Sequence, residues 1–221
     1  QVLYRRGPDT PRPIASITKL MTALVVREAN QPLDEVLTIG PEDVRATKKS
    51  TSRLPVGTKL TRGQYLQLAL MASDNRAANV LGRNYPGGRA AFVSAMRREA
   101  RRIGMTRTHF VEPTGLSSDN VSTTTDLARL VRAASQDSLI RRMSTAPELT
   151  VNVRGRAMVF RNTDQLVRDP SWDISVSKTG YIQEAGRCLV LEAMLDGRPV
   201  VMVLLDSPGT ASRFADARRV R

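Results

Sequence analysis

Residues 174–205 read ISVSKTGYIQEAGRCLVLEAMLDGRPVVMVLL, and their pattern decides the fold class. Three runs, 174–181, 187–195 and 199–205, are strand-sized and rich in β-branched and apolar residues. Asp196-Gly197 joins the last two, a dipeptide that suits a two-residue hairpin because both residues tolerate positive φ. Three successive strands on short turns make an antiparallel sheet. Just upstream, Leu149 to Phe160 alternates around Arg154-Gly155, which predicts one more hairpin.

The middle of the chain has a different period. Ile17 to Ala29 carries Leu20, Ala23, Leu24 and Arg27 at helical spacing. Thr61-Arg62-Gly63-Gln64 has capping-box form and leads into a helix from Tyr65 to Ala72. Further helices are predicted over 76–82, from about Arg89 to Ile103 with Gly104 as its stop, from Thr123 to Ala134, and over 211–221. Val2-Leu3-Tyr4 reads as the tail of a strand before a turn at Gly7-Pro8-Asp9. Helices in the middle and a late antiparallel sheet indicate an α+β layered domain.

At 221 residues, the chain is long enough for one large body with a small inserted lobe. Its longest apolar runs, such as Val200 to Leu205, fall far short of the ~20 residues of a membrane helix. No signal peptide stands at the start, so an exported protein would be represented here by its mature or truncated form. The single cysteine, Cys188, excludes an internal disulfide and reads as a small buried hydrophobe.

The net charge of +13 raises nucleic acid as a partner, but aromatics are only 4% and the basic residues are dispersed. Arg97, Arg98, Arg101 and Arg102 recur as a solvated helix face would. No nucleic-acid partner is therefore expected; an anionic envelope fits a basic surface equally well. Of the 34 basic residues only five are lysine: Lys19, Lys48, Lys49, Lys59 and Lys178. Arginine keeps its proton in a protein, whereas a desolvated lysine can serve as a base.

Lys19 and Lys178 both fall in motifs. Ser16-Ile17-Thr18-Lys19 has the form S-x-x-K, whose ends share one face of a helix. A serine at a helix start also has backbone N–H groups and the positive dipole end nearby. About one chance match is expected in a chain this long, and Ser175-Val176-Ser177-Lys178 is a second. That one lies in a predicted strand, where i and i+3 point to opposite faces. Ser73-Asp74-Asn75 lies between two helices; read as an extended turn it presents Ser73 and Asn75 together, and read plainly it is a capping turn. Lys178-Thr179-Gly180 lies in a strand expected at the sheet edge. It offers an ammonium, a hydroxyl and a glycine where a substrate backbone can approach closely, or else simply a strand end entering a turn.

The three motifs occur in the order S-x-x-K, S-D-N, K-T-G, the signature of serine β-lactamases and penicillin-binding proteins. Joint chance is on the order of one in a thousand. The resemblance extends to 13–23, 55–58, 68–73, 110–116 and 177–188, and so covers nearly the whole chain. It is closest to the low-molecular-mass penicillin-binding proteins of the D-alanyl-D-alanine endopeptidase type, serine DD-peptidases related to the D-alanyl-D-alanine carboxypeptidases. The first half of an N-terminal strand usual in such domains is missing before Val2.

The resemblance implies a β-lactamase/DD-peptidase-like fold, with an antiparallel sheet flanked by helices and an all-helical lobe. The chain would be one penicillin-binding domain over 1–221, its helical subregion at about 40–150. Ser16 would be the acylated nucleophile, Lys19 its neutral base and Ser73 a proton relay to the leaving amine. Asn75, Lys178, Thr179, Gly180 and Tyr181 would bind substrate, with the N–H groups of Ser16 and Tyr181 as the oxyanion hole. Burial and the charge of Lys178 would both lower the Lys19 pKa. Substrates would be peptidoglycan stem peptides, and β-lactams covalent inhibitors. No metal or cofactor is expected, and the protein would be a periplasmic monomer. Glu112 could pass for the deacylating glutamate of a β-lactamase, but Leu116 stands where that family has asparagine, so Glu112 reads as structural. Cleavage of the terminal D-alanine is the alternative within the class. The lone histidine, His109, has no nucleophile motif near it and reads as a loop residue.

Overall fold

The computed structural model describes residues 2–7, 9–48 and 50–221. In chain order the elements are β1 (Arg12–Pro13), a 3-10 turn (Ala15–Ile17), α1 (Thr18–Glu28), β2 (Val36–Thr38), α2 (Pro41–Ala46) and β3 (Lys59–Thr61). There follow α3 (Arg62–Met71), α4 (Asn75–Arg83), α5 (Gly88–Arg102), β4 (Val121–Ser122), α6 (Thr124–Ala134) and α7 (Ser138–Thr145). The last part holds β5 (Glu148–Val153), β6 (Arg156–Arg161), a 3-10 turn (Gln165–Arg168), β7 (Ile174–Ile182), β8 (Gly186–Leu195), β9 (Arg198–Ser207) and α8 (Thr210–Val220).

The sheet expected from residues 174–205 forms as an antiparallel meander in the order β7-β8-β9. Asp196 and Gly197 have φ of 48° and 74°, the paired positive values that a type I′ turn needs. Arg154 and Gly155 turn the β5–β6 hairpin in the same way, with φ of 51° and 82°.

Strand β8 explains its own sequence. Cys188 and Val190 face the main core, which includes Ile14 and Ile17, whereas Leu189, Leu191 and Ala193 pack with Trp172, Phe214 and Ala217 on the other side. A strand buried on both faces needs a continuous apolar run rather than an alternating one. Each of its buried leucines is worth roughly 1.5–3 kcal/mol. Cys188 is fully buried and unpaired, as read.

Helix α1 runs through the centre. Its sequence reads as amphipathic, but Thr18, Lys19 and Thr22 are as buried as Leu20 and Met21. The polar members are accommodated individually: Thr22 Oγ1 donates to Pro113 O at 2.7 Å, and Thr18 Oγ1 accepts from Asn120 Nδ2 at 3.1 Å. The Thr61–Gln64 capping box closes in both directions at the start of α3. Helix α7 went unread although Asp137 caps it, accepting from Leu139 N and Ile140 N; eight residues carry too little periodicity to stand out.

One expectation fails. Val2, Leu3 and Tyr4 form no strand and stand 65%, 72% and 70% exposed. Three apolar residues promote a strand only where a partner edge receives them, and here the segment pairs with none among the described residues. The turn read at Gly7-Pro8-Asp9 includes Pro8, which lies outside the described residues. Arg98, Arg101 and Arg102 are exposed on α5, as a solvated face should be. His109 is an exposed loop residue in a backbone bridge with Val121. Among the described residues no helix is long and apolar enough to cross a membrane.

Candidate active site

Ser16 occupies the middle of the 3-10 turn that precedes α1. Ala15 before it has φ of 47°, an uncommon conformation for a residue with a Cβ, which costs on the order of 1 kcal/mol. The S-x-x-K contact forms across this junction: Lys19 Nζ lies 2.7 Å from Ser16 Oγ. The competing match separates as strand geometry requires. Ser175 Oγ donates to Glu192 Oε1 at 2.7 Å, whereas Lys178 Nζ reaches Ser73.

Lys19 is fully buried and has three partners, each at 2.7 Å: Ser16 Oγ, Asn75 Oδ1 and Thr114 O. Two of these are acceptors only, and the third is a hydroxyl that can also donate. The ammonium form can donate to all three; the neutral form donates to Asn75 and Thr114 and turns its lone pair to the Ser16 hydroxyl. Burial lowers the Lys19 pKa from 10.5 to about 7, while the charges of Glu112 and Asp74 act to raise it. The depression comes first from desolvation, as expected, and the repulsion between Lys19 and Lys178 registers on Lys178.

The Ser73-Asp74-Asn75 turn is tighter than the extended form expected. Ser73 has φ of 57°, in the left-handed region. Asp74 is turned inward: Oδ1 caps α4 by accepting from Ala77 N at 2.9 Å, and Oδ2 accepts from Ser52 Oγ at 2.7 Å. Burial raises the Asp74 pKa, against the pull of those hydrogen bonds. With Asp74 anchored, Ser73 meets Lys178 and Asn75 meets Lys19. One turn therefore both caps α4 and sets Ser73 and Asn75 against the two lysines. Because Asn75 Oδ1 is held by Lys19, its Nδ2 is left to face other partners.

Lys178 and Gly180 lie on edge strand β7, as expected. Lys178 is buried and donates to Ser73 Oγ at 2.9 Å and Thr179 O at 2.8 Å. Its pKa falls well below that of a free lysine, first through burial and then through repulsion from Lys19 and Arg213. Thr179 Oγ1 shares a 2.6 Å hydrogen bond with Thr163 Oγ1. Gly180 was expected to admit a substrate backbone; the backbone packed against it is instead the protein's own. A Cβ there would lie 3.1 Å from Ile14 O and 3.2 Å from Ser16 N. The missing side chain lets β7 press against the nucleophile turn. Tyr181 follows, half exposed at 54%, with the Arg187 guanidinium 4.2 Å from its ring centre.

Sequence reading missed how residues 112–120 complete the site. The buried Glu112 carboxylate accepts from Thr114 N, Thr114 Oγ1 and Gly115 N at 2.6 Å and from Asn120 Nδ2 at 3.0 Å. Its oxygens are occupied by its own loop, which is the structural part it was read to play. The ring holds Thr114 O against Lys19. Gly115, with φ of 83°, crosses so close to the nucleophile turn that a Cβ would lie 1.9 Å from Ala15 O. Arg213 of α8 is buried and donates to Gly180 O and Cys188 O.

A D-alanyl-D-alanine endopeptidase of Pseudomonas aeruginosa is 49% identical over the whole chain and 72% of its own length. The corresponding Escherichia coli K12 endopeptidase is 45% identical with the same coverage. The solved structure of the Streptomyces K15 DD-transpeptidase superposes with a TM-score of 0.89 at 32% identity, over 99% of this chain and 89% of that one. That likeness carries the β-lactamase/DD-peptidase fold. The profile of the D-alanyl-D-alanine carboxypeptidase family matches residues 1–209, and the chain belongs to that family of serine DD-peptidases.

Proposed function

We propose that this chain is a DD-endopeptidase that hydrolyses D-alanyl cross-links between peptidoglycan stems through an acyl-enzyme on Ser16. The observation that carries it is the 2.7 Å contact between Ser16 Oγ and the buried Lys19 Nζ, whose pKa burial lowers to about 7. Ser16 Oγ attacks the D-alanyl carbonyl while its proton passes to Lys19. The N–H groups of Ser16 and Tyr181 receive the developing oxyanion. The peptide C–N bond then breaks, and the proton taken up by Lys19 is relayed through the Ser73 hydroxyl, which Lys178 orients, to the departing amine. Water attacks the ester in the second half of the cycle and restores Ser16.

Substrate lies along β7. This edge strand offers unpaired backbone groups to an extended peptide, as in strand addition. Asn75 Nδ2 donates to a substrate carbonyl, and Thr179 with Lys178 receives its carboxylate end. The endopeptidase reading is supported by the names of the relatives at 49% and 45% identity. A peptidoglycan substrate puts the enzyme in the periplasm. β-Lactams acylate Ser16 and stay, because Glu112 has no free oxygen with which to activate water.

Fluorescent penicillin should label the wild type stoichiometrically and leave Ser16→Ala unlabelled. Incubation with purified cross-linked muropeptide dimers then separates the two DD activities. Release of monomers supports the endopeptidase, whereas release of free D-alanine with the cross-link intact would replace it with a carboxypeptidase.

A further inference from the structure

A cavity of about 360 Å³ opens beside Ser73. Its wall is formed by Ser52, Arg53, Ser73, Asp74, Phe160 and Arg161, among others. A second hollow, of about 410 Å³, continues past Arg161 to Glu148 and Arg168. The two share Arg161 in their linings and are taken together as the Arg53–Arg161 furrow.

The guanidinium groups of this furrow are not engaged with carboxylates. Among the described residues, neither Arg53, Arg161 nor Arg168 forms an ion pair. Glu148 lies directly opposite Arg161 in the β5–β6 register yet makes no ion pair with it. Asp74, the other acid on the wall, has both oxygens occupied by Ala77 N and Ser52 Oγ. Arg53 is also held in place: its guanidinium stacks 4.0 Å from the Phe160 ring centre, and Nη2 donates to Val159 O at 2.7 Å. A fixed, unpaired guanidinium beside a reacting centre is ready to take a carboxylate in a charge-assisted hydrogen bond.

We infer that the Arg53–Arg161 furrow is a subsite for a carboxylate carried by the departing peptide stem, and so selects anionic cross-linked substrates. The inference rests on the DD-endopeptidase reading for its substrate, but binding can be measured apart from cleavage. The probe is a synthetic D-alanyl-linked peptide dimer whose leaving stem bears a free carboxylate, beside the same dimer amidated at that group. Both are titrated onto the full chain carrying Ser16→Ala, and then onto the same protein with Arg53→Gln and Arg161→Gln added.

Ser16→Ala should bind the carboxylate dimer about 10-fold more tightly than its amide. The added substitutions should remove that preference and leave amide binding unchanged, with melting temperature as the check on folding. The preference should weaken as salt rises. Equal affinity for the two dimers on Ser16→Ala overturns the subsite, whether or not the wild type cleaves cross-links. So does a preference that survives both arginine substitutions. If the preference is present but the wild type releases only D-alanine, the subsite stands and the endopeptidase reading falls.

Discussion

Lowering the pH through 7 should shut off acylation of Ser16, by about one decade per unit below the Lys19 midpoint. Lys19 must be neutral to accept the serine proton, and burial has moved its pKa from 10.5 to about 7. At pH 7 roughly half of the molecules then hold a competent base; an unshifted lysine would supply roughly one in three thousand. Desolvation thus raises the reactive fraction by about three orders of magnitude. The assay is the second-order rate of fluorescent-penicillin acylation from pH 5 to 9, which reports the free enzyme. The rate should rise through about pH 7 and level off above it. Lys19→Arg keeps a permanent charge, and should lose at least about 10³-fold while its residual rate stays flat over this range. A wild-type profile that is flat from pH 5 to 9, or still climbing tenfold per unit at pH 9, would refute the desolvated-base argument.

Glu112→Gln sets an amide N–H₂ among donors, where the carboxylate now accepts from Thr114, Gly115 and Asn120. Loss of about 3 kcal/mol is expected, a fall of roughly 10 °C in melting temperature. Because the Glu112 charge raises the Lys19 pKa, the surviving enzyme should show its acylation midpoint displaced below 7. Gly115→Ala and Gly180→Ala test the close approaches to the nucleophile turn. The first places a Cβ 1.9 Å from Ala15 O and should give little folded, penicillin-labelled protein. The second meets Ser16 N at 3.2 Å and should fold while acylating more slowly, read by stopped-flow labelling.

Much of the frame was legible because it is local. The strands of 174–205, the Asp196-Gly197 turn and the Thr61–Gln64 cap depend on neighbouring residues, and so does the discarding of Ser175–Lys178 by strand alternation. Ser16 with Lys19 is local as well, being three positions apart. The isolated Val2-Leu3-Tyr4 run misled because a strand exists only with a partner, and a partner is not a local property.

The chemical state of the site depended on contacts far apart in sequence. Lys19 meets Asn75 across 56 positions and Thr114 across 95, and Lys178 meets Ser73 across 105. Sequence named both lysines by their scarcity, and ordered motifs gave their expected roles. It could not tell that the Glu112 and Asp74 carboxylates also act on Lys19, against its burial. Nor could it tell that Gly180 and Gly115 serve the packing of the nucleophile turn. Motifs state which groups are available; burial and long-range packing decide which of them carries a proton at neutral pH, because desolvation is a property of the folded interior alone.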